Sequence, residues 1–268
     1  MELTNFNYLP ILQFYQFKNI TSLVHGVTTR KGGVSEGPFY SLNMGTNTGD
    51  KPERVLANRQ RLISNLNWDS FPVVIPKQIH GNKIAVINKK PLLKRNTPLL
   101  LELSGVDGLI TPEKKILLLI KVADCIPVFL YDPFNSVIGL IHAGWRGIAQ
   151  EIVTQGIQTL QKQFFSDPKS LLVGIGPGIG SCCFEVKKDF WESFPPHQLN
   201  PSLLRKDSEG RMFFDLKQAI FLELWKNKIP EQNIEIAPEC TCCSPELFFS
   251  HRRDQGKTGR MGAFIGLK

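Results

Sequence analysis

The sequence lacks any apolar run long enough to cross a bilayer. The longest, around 116–130, is interrupted by Lys121, Asp124 and Pro127. Its first residues, MELTNFNYLP, lack a basic region followed by an apolar one, so no secretory leader is expected and a cytoplasmic setting is. Internal repeats, low-complexity tracts and linker-like stretches are missing too, which argues against a modular or fibrous chain. Histidine is scarce: five residues, at 25, 80, 142, 197 and 251, with no closely spaced His-x-His pair. That excludes a histidine-rich metal cluster but leaves enough imidazole for one small site.

What is present fits a globular protein. The 268 residues are 42% hydrophobic and 21% charged, enough to build a large core and far from disordered compositions. A chain of this length fits either one large α/β domain or two small ones. Its net charge of +8 favours anionic partners. The basic residues are scattered, apart from Arg252–Arg253 and short lysine pairs, and no groove-reading motif occurs. Neither a nucleic-acid nor a membrane partner is therefore expected. Six cysteines stand at 125, 182, 183, 240, 242 and 243. Without a secretion signal they should be reduced, available for metal binding, catalysis or burial. Cys182–Cys183 and Cys242–Cys243 are read as small buried thiols in preference to a second metal site.

Residues 20–49 are rich in Gly, Ser, Thr and Asn, too long for a plain turn, and read as a functional loop. A helix should follow, capped by Asp50, with Pro52 in its first turn and Val55, Leu62 and Leu66 on one face. VVIP (73–76) and KIAVI (83–87) read as strands with QIHG between them, and 88–104 as a basic surface excursion. Further on, 147–164 reads as a helix and LLVGI as a strand leading into a glycine-rich turn. Asp215 should cap a helix through Leu224, and IEIA, ELFFS and RMGAFIGL read as strands.

The segment 116–147 carries most information. ILLLIKVADCIPVFLYD reads as one long buried strand, DPFN as a turn and SVIGLIHAGWRG as the returning strand. A turn over Asp132 to Asn135 sets Tyr131 opposite Ser136, Phe129 opposite Ile138 and Cys125 opposite His142. Directly opposed residues share a face, their Cβ atoms roughly 4.5–5.5 Å apart. Thiol and imidazole then meet, as either an activated nucleophile with its base or a pair of metal ligands. A catalytic zinc takes three protein ligands and leaves one position open. His80, beside Gly81 at a strand end, is placed to supply the third.

The ordered motifs GVTTRKGGVSEGP, SLNMG, QIHG, ADCIPV, HAGWRG, GPGIGSCCFEV, CT (240–241) and FFSHRRDQGKTGRMGAFI resemble those of the YfiH/laccase-domain family. Its members are variously named multicopper polyphenol oxidase, purine nucleoside phosphorylase and peptidoglycan editing factor. The resemblance spans residues 24 to 266 or so. It implies a single domain over 1–268 of α/β (α+β) class, a four-layer α/β/β/α fold with mixed sheets similar to cysteine hydrolases. It also implies one zinc ion per chain on the catalytic residues His80, Cys125 and His142. The implied reaction is phosphorolysis of adenosine, inosine or methylthioadenosine to free base and ribose 1-phosphate, with adenosine deamination at the same centre. Phosphate needs an anion site, for which Arg146, Arg252, Arg253 and Arg260 are the candidates. Copper is judged adventitious, since five histidines cannot furnish a multicopper centre. Two rivals remain: a cysteine amidohydrolase of cell-wall precursors with Cys125 as nucleophile, and a non-catalytic nucleoside- or partner-binding protein.

Overall fold

Two mixed sheets stack face to face, each covered on its outer side by helices. The computed structural model describes residues 1–88 and 100–268. Edge to edge, one sheet has seven strands: Glu2–Phe6, Leu9–Gln13, Leu23–Thr28, Met261–Leu267, Leu117–Val122, Val73–Lys77 and Leu100–Ser104. The other has six: Ile234–Ile236, Leu172–Ile175, Ile126–Asp132, Val137–Ala143, Gly108–Thr111 and Ile84–Val86.

Alternation along the strands sorts side chains into three apolar layers. In the six-stranded sheet, Phe129, Tyr131, Ile138 and Leu140 point inward to meet Val27, Leu118, Ile120 and Ile265 of the seven-stranded one. Ile126, Val128 and Leu130 point the other way, onto the helices Ile152–Phe164 and Leu216–Lys226. Leu117, Leu119 and Phe264 pack against Leu62 and Ile63 of the helix Pro52–Asn65. These layers make the α/β/β/α arrangement that the motifs imply.

The structure corrects several local expectations. The segment 116–132 is two strands, Leu117–Val122 and Ile126–Asp132, each in a different sheet. The chain crosses between the sheets at Ala123-Asp124-Cys125, where Asp124 takes a left-handed φ of 86°. The hairpin closes two residues away from the expected register: Asp132 pairs with Val137, Phe129 with Leu140 and His142 with Pro127. Its turn residues are 133–136, because Asp132 stays in the ladder while its Oδ1 accepts the Phe134 and Asn135 N–H groups. A slip of two preserves the face of every side chain, so Cys125 and His142 still meet.

The expected helix over 147–164 is two helices, Trp145–Ala149 and Ile152–Phe164, separated where Glu151 adopts φ of 56°. ELFFS is not a strand. Phe248 and Phe249 are instead fully buried in an irregular segment between the sheets. Lys51, not Asp50, occupies the helix N-cap. Asp50 accepts hydrogen bonds from Ser35 and Asn43 and ties down the preceding loop. The loop is further held by buried Asn58, which accepts from the Val34 N–H and donates to Ser35 Oγ and to the Ser41 and Asn43 carbonyls. Asp215 does cap its helix, accepting from the Gln218 N–H at 2.9 Å. Of the basic excursion at 88–104, residues 100–104 form a strand and 89–99 lie outside the described residues.

Candidate metal centre and its cavity

Three chain segments end at one rim of the space between the sheets. The crossover delivers Cys125, the end of the Val137–Ala143 strand delivers His142, and the QIHG turn delivers His80 in a left-handed conformation of φ 61°. One donor atom from each lies within 4.8 Å of the other two. The imidazoles of His80 and His142 stand edge to face, their centroids 4.9 Å apart. His142 is buried, Cys125 half-buried and His80 exposed. The centre is thus anchored on one side and open on the other.

Asp107 organises the site and went unnoticed in the sequence. It lies just before the strand Gly108–Thr111 and is fully buried. Its carboxylate accepts the backbone N–H groups of Ile79 at 3.1 Å, His80 at 2.9 Å and Gly81 at 2.9 Å, which shapes the turn. The same carboxylate accepts His142 Nδ1–H at 2.9 Å. That contact leaves His142 Nε2 as the nitrogen able to face a metal, a common arrangement for metal-binding histidine. Nothing marks an aspartate in SGVDGLIT as special until the fold sets it beneath both histidine-bearing segments.

Electrostatics favour a thiolate here. Burial opposes ionisation of Cys125, yet His142 and His80 outweigh it and bring the thiol down to about 6. Burial likewise opposes protonation of His142, but the Cys125 sulfur and Asp107 raise the imidazole to about 9. One thiolate and two imidazoles make a donor set suited to a borderline-soft ion such as zinc, so the residues fit a metal. The glycines of HAGWRG follow from the same crowding. A Cβ on Gly144 would lie 3.0 Å from Cys125 Sγ and 3.2 Å from His80 Cδ2, and one on Gly147 would lie 3.0 Å from the Gly81 carbonyl. The turn GPGIG is glycine-rich for packing: a Cβ on Gly178 would strike Ile126 and crowd the Asp124 carbonyl.

The centre forms the floor of a cavity of about 990 Å³. Gly45 to Thr48, from the loop expected to be functional, make part of its wall. Among the four arginines put forward for anion binding, three line the cavity and Arg253 does not. Arg146 stacks over Trp145 at 4.2 Å and pairs loosely with Asp189. Arg252 donates to the Cys183 and Glu185 carbonyls, and Arg260 to those of Thr258 and Gly259. The Arg253 guanidinium is consumed by the Thr241, Cys242 and Phe248 carbonyls and by Asp254. Lys121, missed in the sequence because it interrupts a buried strand, adds another cation to the wall. Burial, with Arg59 nearby, lowers its ammonium to about 8.

A second sulfur-rich group stands apart from this centre, formed by Cys182, Cys183, Cys240 and Cys243. The expectation of small buried thiols does not hold, since Cys182 and Cys243 sit exposed in turns. Cys240 and Cys243 also stand in C-x-x-C spacing, which the pairwise reading passed over.

Comparison with known proteins agrees with the motifs. The purine nucleoside phosphorylase YlmD of Geobacillus stearothermophilus is 41% identical over 250 residues, covering 91% of this chain and 90% of the relative. A purine nucleoside phosphorylase of Bacteroides thetaiotaomicron is 33% identical over 253 residues, covering 94% of each. The crystal structure of YlmD from Geobacillus stearothermophilus superposes with a TM-score of 0.87 at 38% identity, over 97% of this chain and 96% of that one. The family profile described as multi-copper polyphenol oxidoreductase laccase matches residues 24–268. The chain is therefore a member of that family, the YfiH/laccase-domain proteins that its motifs resemble.

Proposed function

We propose that this protein is a zinc-dependent purine nucleoside phosphorylase, acting on inosine, adenosine and methylthioadenosine and also deaminating adenosine. The observation that carries the reading is the convergence of His80, Cys125 and His142 at the floor of a cavity whose wall is cationic. A volume of about 990 Å³ suits a nucleoside with a phosphate beside it. The relatives' names point to the same reaction.

In this reading His80, Cys125 and His142 hold the ion, and Asp107 fixes the His142 ring and the turn that carries His80. Zinc, when bound, supplies Lewis acidity that polarises a substrate atom or activates water. Arg146, Arg252 and Arg260, with Lys121, hold phosphate and offset its charge as it attacks the ribose carbon. Trp145 and Phe184 on the same wall provide apolar surface for the purine. Arg253 acts indirectly, by fixing the 241–248 segment.

A multicopper oxidase reading is disfavoured by the remaining histidines. His25 is buried against Phe14 and Phe17, and neither His197 nor His251 belongs to a metal-competent group among the described residues. A second reading has one observation behind it. Asp107, His142 and Cys125 form a hydrogen-bonded chain of the kind that activates a cysteine nucleophile without metal.

Metal content by mass spectrometry decides between the two, on freshly purified wild type beside His80→Ala, Cys125→Ala and His142→Ala. The expected result is loss of one zinc per chain in each variant, together with inosine phosphorolysis. Wild-type activity that survives removal of that zinc would transfer the assignment to the cysteine hydrolase.

A further inference from the structure

The second cysteine group lies outside the cavity floor and has no part in the reaction above. It is built from two turns far apart in sequence. One, at 181–183, follows the glycine-rich turn, and the other spans 241–243. They are brought together by a bridge between Gly178 and Cys240. The Cys243 sulfur lies 3.5 Å from that of Cys182 and 3.3 Å from that of Cys183, and all four sulfurs fall within 4.8 Å of one another.

We propose that Cys182, Cys183, Cys240 and Cys243 bind a second zinc ion, in a closed tetrahedral thiolate site. Sulfurs at about 2.3 Å from a common zinc stand about 3.8 Å apart, close to the spacing here. An iron–sulfur cluster spreads its cysteines over several irons, so four mutually adjacent sulfurs suit one ion. The backbone is arranged for thiolate as well. Gly180 N–H donates to Cys240 Sγ at 3.1 Å, and the Cys243 amide donates to the same sulfur. Glycine leaves room for the first contact, since a Cβ on Gly180 would crowd the group at 3.2 Å from Cys182 Sγ and 3.3 Å from Cys240 Cβ.

Four thiolates and one zinc leave two net negative charges, and cations flank the group. Lys217 Nζ donates to the Ala237 and Glu239 carbonyls, Arg205 to that of Ser181 and Arg252 to that of Cys183. All four coordination positions come from the protein, so the ion is structural and not catalytic. Its consequence for the active cavity is mechanical. Thr241, inside the C-x-x-C turn, donates to Asp124 of the crossover, whose other carboxylate oxygen accepts the Arg252 N–H. The ion therefore clamps two segments that support the cavity wall.

Protein purified with reductant and without chelator should carry two zinc ions per chain. Cys240→Ser and Cys182→Ser should each lower that to one, and His80→Ala should independently lower it to one by emptying the other site. Should the cysteine variants fail to fold, cobalt added to metal-free wild type decides. Intense thiolate-to-cobalt charge-transfer bands are expected, from a second equivalent that remains in His80→Ala. The proposal is overturned by a wild type whose only zinc disappears in His80→Ala. It is equally overturned by metal-free native protein in which Cys243 is disulfide-linked to Cys182 or Cys183, or by cobalt spectra without a thiolate-rich second equivalent.

Discussion

Asp107 carries more of the site than any metal-competent side chain, because one buried carboxylate orders both histidine-bearing segments. Asp107→Asn keeps the shape but loses an acceptor, and the amide makes His142 a weaker donor to metal. Zinc affinity should fall about 10- to 100-fold, read by competition with a chromophoric chelator. Unchanged affinity would mean that the carboxylate serves only the turn. His25 gives a second residue-scale prediction. It is buried, its Nε2 accepts the Phe14 N–H at 3.0 Å, and burial lowers it to about 4. The unfolded chain, with histidine near 6.5, binds more protons than the folded one between those values. The stabilisation is therefore complete above about pH 6.5 and is lost as the pH falls toward 4, by about 3 kcal/mol in full. Urea midpoints at pH 7 and pH 4.5 should show the drop, and His25→Gln should show a smaller one. An equal drop in the variant would place the acid sensitivity elsewhere.

At the scale of elements, the crossover at Ala123-Asp124-Cys125 decides where the candidate metal centre sits. A strand continuing straight through 116–132 would leave Cys125 mid-ladder, with no room around its sulfur. Changing sheets there places it at the rim, where the Val137–Ala143 strand also ends. Periodicity could not reveal the break, because both strands are buried on both faces apart from Lys121, and Ala-Asp-Cys is too short to read as a loop. A reversal near 132–136 was legible, and so was the shared face of Cys125 and His142. The two-residue slip was not, because it depends on Asp132 staying in the ladder while its side chain closes the turn. Gly144 tests how tightly these ends are fitted. Gly144→Ala sets a methyl 3.0 Å from Cys125 Sγ, so zinc retention should fall with little change in the circular dichroism spectrum. Full zinc occupancy in that variant would show that the rim has slack to absorb a methyl group.

For the whole molecule, charge and cavity act together. The net charge is +8, and Lys121, Arg146, Arg252 and Arg260 share one cavity wall. A phosphate dianion approaching that wall is attracted over distances that salt shortens, with a Debye length of about 10 Å at 0.1 M ionic strength. The KM for phosphate should rise with added potassium chloride while the KM for inosine changes little. Arg146→Ala, Arg252→Ala and Arg260→Ala should each raise the phosphate KM about tenfold or more, as loss of a charge-assisted hydrogen bond does. If all three leave it unchanged, phosphate does not bind on this wall. Among the described residues no helix is long and apolar enough to cross a membrane, in keeping with the broken apolar run at 116–130.

Sequence alone singled out the three residues that the fold gathers into one metal-competent group. His80, Cys125 and His142 stand in short motifs whose residue types are chemically scarce, and local turn geometry already put two of them on one face. The apolar periodicity likewise located the longer helices and several strands, because burial acts residue by residue. It missed Glu2–Phe6, Leu9–Gln13 and Leu23–Thr28, the last a buried strand inside a segment read as loop. Tertiary structure decided whatever depends on segments distant in the chain. Asp107 reaches His142 across 35 positions, and Cys182 reaches Cys243 across 61. Arg253 turned away from the cavity because backbone carbonyls at 241, 242 and 248 were within its reach. Such contacts leave no periodic trace, since they arise only when hydrophobic layers elsewhere bring the loops together.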